Sequence, residues 1–261
     1  LLTNEGLIAR ATKDIDIILV IERLTPEFVT RLWEFIKAGG YRSLLKEPEQ
    51  RKYYRFTDPA DRDFPRQIEL FSRIPDSIDN GESARFRRIS IDEGISSLSA
   101  ILMNDSYYGY TVEHSSTIDD LHRANLDALI CLKAKAFLDL ESRKRNGENV
   151  DEKDIKKHKN DVFRLAAMLT ADENFVLPDQ IRNDLLIFLD ESKDSLPDKA
   201  ILREMGAGDL HIDELYEQLR KNFNISVWIR MREYGKESRQ ESLTGIDTSR
   251  ATKTQIAILC E

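Results

Sequence analysis

The chain's 261 residues, 41% of them hydrophobic, suffice for one large domain or two modest ones with a core of ordinary size. Its 47 acidic and 39 basic side chains give a net charge of -8, which argues against a protein that coats nucleic acid through general attraction to phosphates. Cys131 and Cys260 match neither a metal-knuckle spacing nor a disulfide framework, and no apolar run approaches the roughly 20 residues that span a bilayer, so we expect a cytoplasmic protein with no membrane segment.

The first predicted strand carries two acidic residues at its start. It runs from Asp14 to Ile21, and its β-branched apolar residues are typical of a strand that is buried on at least one face. The residues before it contain no methionine, and we expect that an upstream segment precedes them.

A helix is predicted next. Thr25 is a suitable N-cap and Pro26 a suitable first helical residue. Apolar residues then recur at helical spacing until Gly39 and Gly40 end the pattern, namely Phe28, Val29, Leu32, Trp33 and Ile36. Residues 52–57, 67–74 and 86–91 alternate polar and apolar side chains as strands do. We therefore expect an α+β fold of α/β-like pattern, in which residues 1–118 form a small mixed sheet flanked by helices.

The second half of the chain has a different pattern. Helical spacing dominates from residue 119, first in Leu126, Leu129, Ile130, Lys133 and Phe137, and later in Ile155, Val162, Leu165 and Leu169. The polar stretch 143–154 contains Asn146-Gly147 and predicts a solvated connection. We expect a helical domain over residues 119–232, followed by a mobile C-terminal segment, residues 233–261, where periodicity is weak.

Paired carboxylates are the strongest chemical signal in the sequence. Asp14 and Asp16 lie two apart on one strand, so both leave the same face and can converge on Mg²⁺ or Mn²⁺. Glu69 is the best candidate for a third metal-binding carboxylate from a neighbouring strand, with Ile68 and Leu70 on the other, buried face. The alternative is that the Asp-x-Asp pair merely ends a strand against solvent.

The segment Arg10-Ala-Thr-Lys-Asp-Ile-Asp16 resembles the Arg-x-Thr-x-Asp-Ile-Asp motif of the AbiEii/AbiGii-type nucleotidyltransferases, a group that includes toxins of bacterial toxin–antitoxin pairs. Leu132-Lys-Ala-Lys-Ala136 and Lys159-Asn-Asp161 are similar to later family segments, so the resemblance covers roughly residues 7 to 170. It implies that Asp14 and Asp16 are metal ligands, that Arg10, Thr12 and Lys133 contact the nucleotide, and that Asp161 is a second catalytic or orienting carboxylate.

The function implied by this resemblance is metal-dependent transfer of a nucleotidyl group from a nucleoside triphosphate to a hydroxyl of RNA, tRNA, protein or a small molecule. A toxin of this kind would have a cognate antitoxin. Two family features differ here: only Gly6 precedes Arg10 where the family has a Gly-Gly or Gly-Ser element, and Arg164 occupies the place of a second aspartate. The alternatives are a nucleotidyltransferase-fold binding or regulatory module without catalysis, and phosphoryl transfer to a protein.

Lys133 can also be assessed from its own neighbours. The residues three and four positions from Lys133 are all apolar, namely Leu129, Ile130, Ala136 and Phe137. The ammonium group of Lys133 therefore projects from an apolar face of the helix. It either contacts a phosphate or is a snorkelling side chain at the edge of the core. Lys135, by contrast, is expected to form a surface ion pair with Asp139.

The other polar and aromatic candidates also have ordinary structural explanations. Asp161 lies among basic residues and could be one acid of a solvated helix. That basic cluster, like the one at Arg85, Arg87 and Arg88, would steer RNA or is simply a solvated surface. Tyr107, Tyr108 and Tyr110 favour packing in a turn or strand over base stacking. The four histidines show no metal-ligand spacing, namely His114, His122, His158 and His211.

Overall fold

A computed structural model of the chain describes residues 14–19, 26–43, 53–72, 101, 104–118, 121–225 and 256–260. The strands are β1 (Asp14–Leu19), β2 (Arg42–Ser43), β3 (Tyr53–Thr57), β4 (Gln67–Ser72), β5 (Ser115–Ile118), β6 (Leu121–Ala124) and β7 (Ile256–Cys260). The helices are α1 (Pro26–Ala38), α2 (Asp105–Glu113), α3 (Leu126–Arg145), α4 (Glu152–Ala166), α5 (Asp179–Ser192), α6 (Ala200–Glu204) and α7 (Ile212–Asn222), with a 3₁₀ turn at Lys193–Ser195. This mixture of helix and strand, in which helix predominates, is compatible with the predicted α+β class.

The described strands form one mixed sheet in the order β2-β3-β4-β1-β7-β6-β5. β1 is parallel to β4 and antiparallel to β7, while β7 is parallel to β6. Antiparallel pairs, β2 with β3, β3 with β4, and β5 with β6, complete the sheet. The predicted strands at residues 14–21, 52–57 and 67–74 are therefore confirmed within two residues at each end.

Helix α1 covers one face of the sheet. Its buried side chains Leu32, Trp33 and Ile36 recur at helical spacing, and the Trp33 ring meets the Phe56 ring edge-on with centroids 5.8 Å apart. Phe56 is opposite Ile68 in the β3–β4 ladder, and both are buried, so they share the covered face. The helix ends before Gly40, whose φ of +60° favours glycine, as the sequence predicts.

Helices α2 to α7 share a second core. Phe188 of α5 lies between Phe137 of α3 and Phe163 of α4, with ring centroids 5.2 Å and 6.5 Å away. Ala124 at the end of β6 belongs to the same buried cluster, which joins this helical body to the sheet. The predicted connection between α3 and α4 is present as a turn containing Gly147, whose φ is +83°.

Two parts of the fold differ from the sequence prediction. Residues 256–260, inside the segment expected to be mobile, form β7 between β1 and β6; an unbroken apolar run shows no alternation by which to recognise a central strand. The helix α2 and the β5–β6 hairpin were not predicted, and the hairpin lies across the expected domain boundary at 118/119. The predicted strand at residues 86–91 lies outside the described residues.

Candidate functional site

The three predicted metal-binding positions share one face of the sheet. In the parallel β1–β4 ladder, Asp14 is level with Gln67 and Asp16 is level with Glu69. Because residues alternate between the two faces of a strand, positions 14, 16 and 69 lie on the same face. Ile68 is buried on the opposite face, the one that α1 covers. The acidic face, defined by Asp14, Asp16 and Glu69, is thus the face away from α1.

A basic position adjoins the acidic face. Arg55 on β3 is directly opposite Glu69 in the antiparallel β3–β4 ladder, so it lies on the same face as Asp16. Arg55 was not predicted from the sequence as a site residue. The signal was available, because Arg55 is a charged residue in an alternating strand and its pairing with 69 follows from strand register alone.

The helical body meets the sheet on the acidic face. Asp16 is level with Leu259 of β7, and Ala257, two residues away on the same face, is level with His122 of β6. Ala124, two residues beyond His122, therefore also lies on that face. Since Ala124 is packed in the core of the helical body, this body adjoins the acidic positions along the sheet.

Lys133 lies inside the helical body. Its residue is 4% exposed, and its neighbours on α3 include the buried Ile130, Ala136 and Phe137. A snorkelling side chain would keep its ammonium in water. Lys133 does not fit that description, since its Nζ atom is closed to solvent.

Asp161 is buried on α4, with 9% of the residue exposed. Its Oδ1 is 3.2 Å from Nη1 of Arg164, one turn later, and Nη2 of Arg164 is 3.1 Å from Glu204 of α6. The alternative of a solvated acid on a basic helix is therefore wrong for Asp161, because α4 turns this residue towards its neighbours. The nucleotide-binding candidates Arg10 and Thr12 lie outside the described residues.

Lys135 belongs to an ionic network that joins three helices. Its Nζ atom is 3.2 Å from Asp139, as predicted, and also 3.5 Å from Asp184 of α5. Tyr107 of α2 donates a hydrogen bond of 3.0 Å to Asp184. Burial raises the pKa of Asp139, and the Lys135 ammonium partly opposes that shift. The pair with Asp139 is thus part of a half-buried network, where the sequence predicted a simple surface pair.

A second network surrounds the carboxylate of Asp127, at the start of α3. Tyr110 donates a hydrogen bond of 2.6 Å to Asp127 Oδ2, and the same oxygen lies 2.5 Å from His114 Nδ1. The rings of Tyr110 and His114 stack with centroids 3.9 Å apart. Burial and the hydrogen bond to Asp127 raise the pKa of Tyr110. Tyr107 and Tyr110 are packed in the core, but on a helix where the sequence predicted a turn or strand.

This Asp127–His114–Tyr110 cluster was not predicted from the sequence. The nearest signal was Asn104, whose side chain accepts hydrogen bonds from the backbone N–H groups of Ser106 and Tyr107 and so caps α2. Recognising α2 would have placed Tyr110 and His114 one turn apart on it. Their meeting with Asp127 depends on the β5–β6 hairpin, which brings α3 back beside α2.

A groove of about 480 Å³ lies between the end of α3, the start of α4 and the 3₁₀ turn. Four lysines line it, namely Lys144, Lys153, Lys156 and Lys159. Lys144 is paired with Glu152 at 2.8 Å, and Lys159 donates to the backbone oxygen of Ser195 at 2.7 Å. Neither Lys133 nor Asp161, the predicted site residues whose side chains are described, lines this groove.

No group of three or more His, Cys, Asp or Glu side chains that could hold a metal is found in the described part of the chain; the side chains of Asp14, Asp16 and Glu69 are not among those described. Within the same residues, no helix is long and apolar enough to cross a membrane. In comparisons with known proteins, no family, curated protein or solved structure matches this chain.

Proposed function

We propose that this protein is a metal-dependent nucleotidyltransferase that transfers a nucleotidyl group from a nucleoside triphosphate to a hydroxyl group. The observation that carries the proposal is the register of β1 and β4, which makes Asp16 and Glu69 cross-strand neighbours with Asp14 on the same face. A core strand gains nothing from three carboxylates on one face, because like charges so close repel one another. Their grouping is explained if they hold a cation.

The donor set fits Mg²⁺ or Mn²⁺. Both metals prefer oxygen ligands, and the three positions on one face of β1 and β4 carry carboxyl groups. Asp14, Asp16 and Glu69 would hold the ion. When bound, it neutralises charge on the phosphates during transfer. Arg55, beside Glu69, adds a cationic position that could pair with Glu69 or attract phosphate oxygens.

The substrate would lie between the acidic face and the helical body. Ala124 supports this arrangement, because it lies on the same face of the sheet and in the helical core. In-line attack by the acceptor hydroxyl on the α-phosphorus would release pyrophosphate without a covalent enzyme intermediate. Lys133 reaches the triphosphate only if the helical core opens at α3, since its ammonium is enclosed. An RNA or tRNA acceptor and a cognate antitoxin remain part of the proposal, as does cytoplasmic action as a toxin.

The double substitution Asp14→Asn with Asp16→Asn tests the proposal. We expect it to lower nucleotide transfer by at least about a hundredfold, because loss of metal-site residues has effects of this order or larger. The variant should melt no lower than the parent without metal, since the substitution relieves repulsion between two carboxylates. The assay combines each labelled nucleoside triphosphate with Mg²⁺ or Mn²⁺ and total cell RNA or lysate, followed by identification of the labelled product.

A matched control removes the same charge elsewhere. Asp190→Asn with Asp213→Asn changes two exposed acids of α5 and α7 and should leave transfer unchanged. Equal activity in the Asp14/Asp16 variant and the parent would refute the catalytic assignment. If the parent binds a nucleoside triphosphate with metal but transfers nothing, the alternative of a nucleotidyltransferase-fold binding module is favoured.

A further inference from the structure

We propose that the groove between α3, α4 and the 3₁₀ turn binds a nucleoside monophosphate, free or as the terminal nucleotide of an RNA, through Lys153, Lys156 and Asn160 of α4. The three residues recur at helical spacing and all line the groove, so they share one face of the helix. The inference goes beyond the proposed function and does not depend on it, because none of these residues belongs to the acidic face.

Lys153 and Lys156 carry the charges of the groove that are available to an anion. The Lys144 ammonium is 2.8 Å from Glu152, and Asp198 accepts a hydrogen bond of 2.7 Å from a backbone N–H. Among the described residues, neither Lys153 nor Lys156 forms an ion pair. A bound anion would therefore meet two ammonium groups that have no competing carboxylate partner in this part of the chain.

Lys159 shapes the groove through its own contacts. Its Nζ atom donates to the backbone oxygen of Ser195 at 2.7 Å and to the Ser195 hydroxyl at 3.1 Å, which ties α4 to the 3₁₀ turn. Burial lowers the pKa of Lys159, the carboxylate of Glu141 opposes that shift, and the ammonium of Lys156 lowers the pKa further. An anion bound at Lys156 would offset the repulsion between these two ammonium groups.

Apolar side chains make up the buried part of the lining. Phe137, Ile155 and Pro197 are buried, and Leu196 is half-buried. A small inorganic anion uses none of this surface, whereas a nucleotide joins a phosphate to a flat ring with apolar faces. The volume of about 480 Å³ also lies in the range of sites for small organic ligands, about 300–1,000 Å³.

Asn160 supplies a contact for the base. Its side chain is half-buried, and its Oδ1 atom has no hydrogen bond among the described residues. An amide group carries both donors and an acceptor, which are the groups that pair with the edge of a base. About 6 Å of helix axis separates Asn160 from Lys156. The ribose of a nucleotide lies between its base and its phosphate and extends over such a distance.

A single phosphate suits these lysines better than a carboxylate or a longer polyanion. Lys153 and Lys156 are neighbours on the helix surface, so both ammonium groups can reach one anion. A phosphate monoester carries more charge and more acceptor oxygens than a carboxylate. Three acids also line the groove, namely Glu141, Glu152 and Asp198. They would repel the further charges of an acidic peptide or of the interior of an RNA strand.

The test is calorimetric titration of the parent with each nucleoside monophosphate in EDTA, which removes the metal that the acidic face would need. We expect the best of them to bind at least about tenfold more tightly than inorganic phosphate or the nucleoside, because each of these makes only part of the contacts. Lys153→Gln with Lys156→Gln should lower that affinity at least about tenfold, since charge-assisted hydrogen bonds are lost. Asn160→Leu should abolish the preference over inorganic phosphate and leave phosphate binding unchanged.

The matched control is Arg182→Gln with Lys221→Gln, which removes the same charge from exposed positions on α5 and α7 and should leave the affinity unchanged. Failure of every nucleoside monophosphate to bind, or an equal loss in both double variants, would overturn the inference. Equally tight binding of an acidic peptide would overturn it in favour of a protein partner. Tighter binding of a short RNA that carries a terminal phosphate would identify RNA as the source of the nucleotide, and weaker binding a free nucleotide.

The Asp14→Asn with Asp16→Asn variant separates this inference from the proposed function. In EDTA it should bind the nucleoside monophosphate as the parent does, whether or not the parent transfers nucleotides. Loss of binding in this variant would place the ligand at the acidic face and overturn the assignment to the groove.

Discussion

The sheet and the helical body organise their charged residues in opposite ways. On the sheet, Asp14, Asp16 and Glu69 share a face because strands alternate and β1 pairs with β4 in register. In the helical body, charged residues are held by contacts between helices that are far apart in sequence, such as Lys135 with Asp184. The acidic positions of the sheet therefore follow a repeated geometry, whereas Lys135 and Asp161 of the helical body are paired with charged neighbours.

The two regions meet at few described points, and Ala124 is the clearest of them. It ends β6 and is fully packed in the core of the helical body. If this contact couples the two regions, a substitution that destabilises one region should also lower the melting temperature of the other. If it does not, the acidic face is free to move relative to the helical body, and the site between them would form only when substrate is bound.

Truncation of the helical core should have the largest effect on stability. Phe188→Ala removes a ring that is fully buried between Phe137 and Phe163, at a cost of about 3–5 kcal/mol. For a chain of this size the melting temperature should fall by on the order of 10 °C. Circular dichroism follows the helices, and Trp33 fluorescence in a Trp228→Phe background follows the sheet and α1. If the two regions are coupled, both probes should show the same decrease in melting temperature.

The matched control is Phe35→Ala on the exposed side of α1. Phe35 is 43% exposed and contacts Phe64, with ring centroids 5.0 Å apart, so its loss should cost far less than that of Phe188. An unchanged Trp33 transition in Phe188→Ala, alongside a lowered helical transition, would show that the sheet and the helical body unfold separately.

The sequence predicts the sheet better than the helical body for a physical reason. Alternation within β3 and β4 and the helical spacing of α1 are local, so Ile68 could be assigned to the buried face without knowing its partners. The contact of Asp127 with His114 requires α2, a hairpin and α3 to fold together. No spacing rule covers that contact. The strand β7 was missed because an apolar run of five residues has no period.

Lys133 of α3 gives the next largest effect, on ligand affinity. Lys133→Met keeps the hydrophobic part of the side chain and removes the charge. If Lys133 contacts the triphosphate, affinity should fall tenfold or more, because charge-assisted hydrogen bonds contribute about 1.5–3 kcal/mol. Calorimetric titration with a nonhydrolysable triphosphate and Mg²⁺ measures this change. An unchanged affinity would mean that the enclosed ammonium of Lys133 serves the helical core alone.

Lys135→Met should change stability and leave nucleotide affinity alone. The substitution leaves two half-buried carboxylates, Asp139 and Asp184, without their shared cation. We expect a loss of about 1–2 kcal/mol, between the values typical of exposed and of buried pairs. Tyr107→Phe removes the other hydrogen bond to Asp184, and the double variant should depart from additivity by at least about 0.5 kcal/mol in chemical denaturation. Strict additivity would contradict a shared network.

The smallest effect concerns Asp139 and its dependence on pH. Burial raises the pKa of this carboxyl above its ordinary value, so the folded protein binds the proton more tightly than the unfolded chain does. The ionised form thus lowers stability above the folded pKa, and that loss is recovered as pH falls from the folded pKa towards the ordinary value of 3.8. Asp139→Asn, which is neutral at every pH, should therefore be at least as stable as the parent at pH 7. Lys135 opposes the rise in the Asp139 pKa. Asp139→Asn should therefore raise the free energy of unfolding by at most a few tenths of a kcal/mol in the parent, and by more in a Lys135→Met background. Chemical denaturation at pH 7 and pH 4 measures this stability difference in both backgrounds. A larger gain from Asp139→Asn at pH 4 than at pH 7 would show that the pairing with Lys135 outweighs the effect of burial on Asp139.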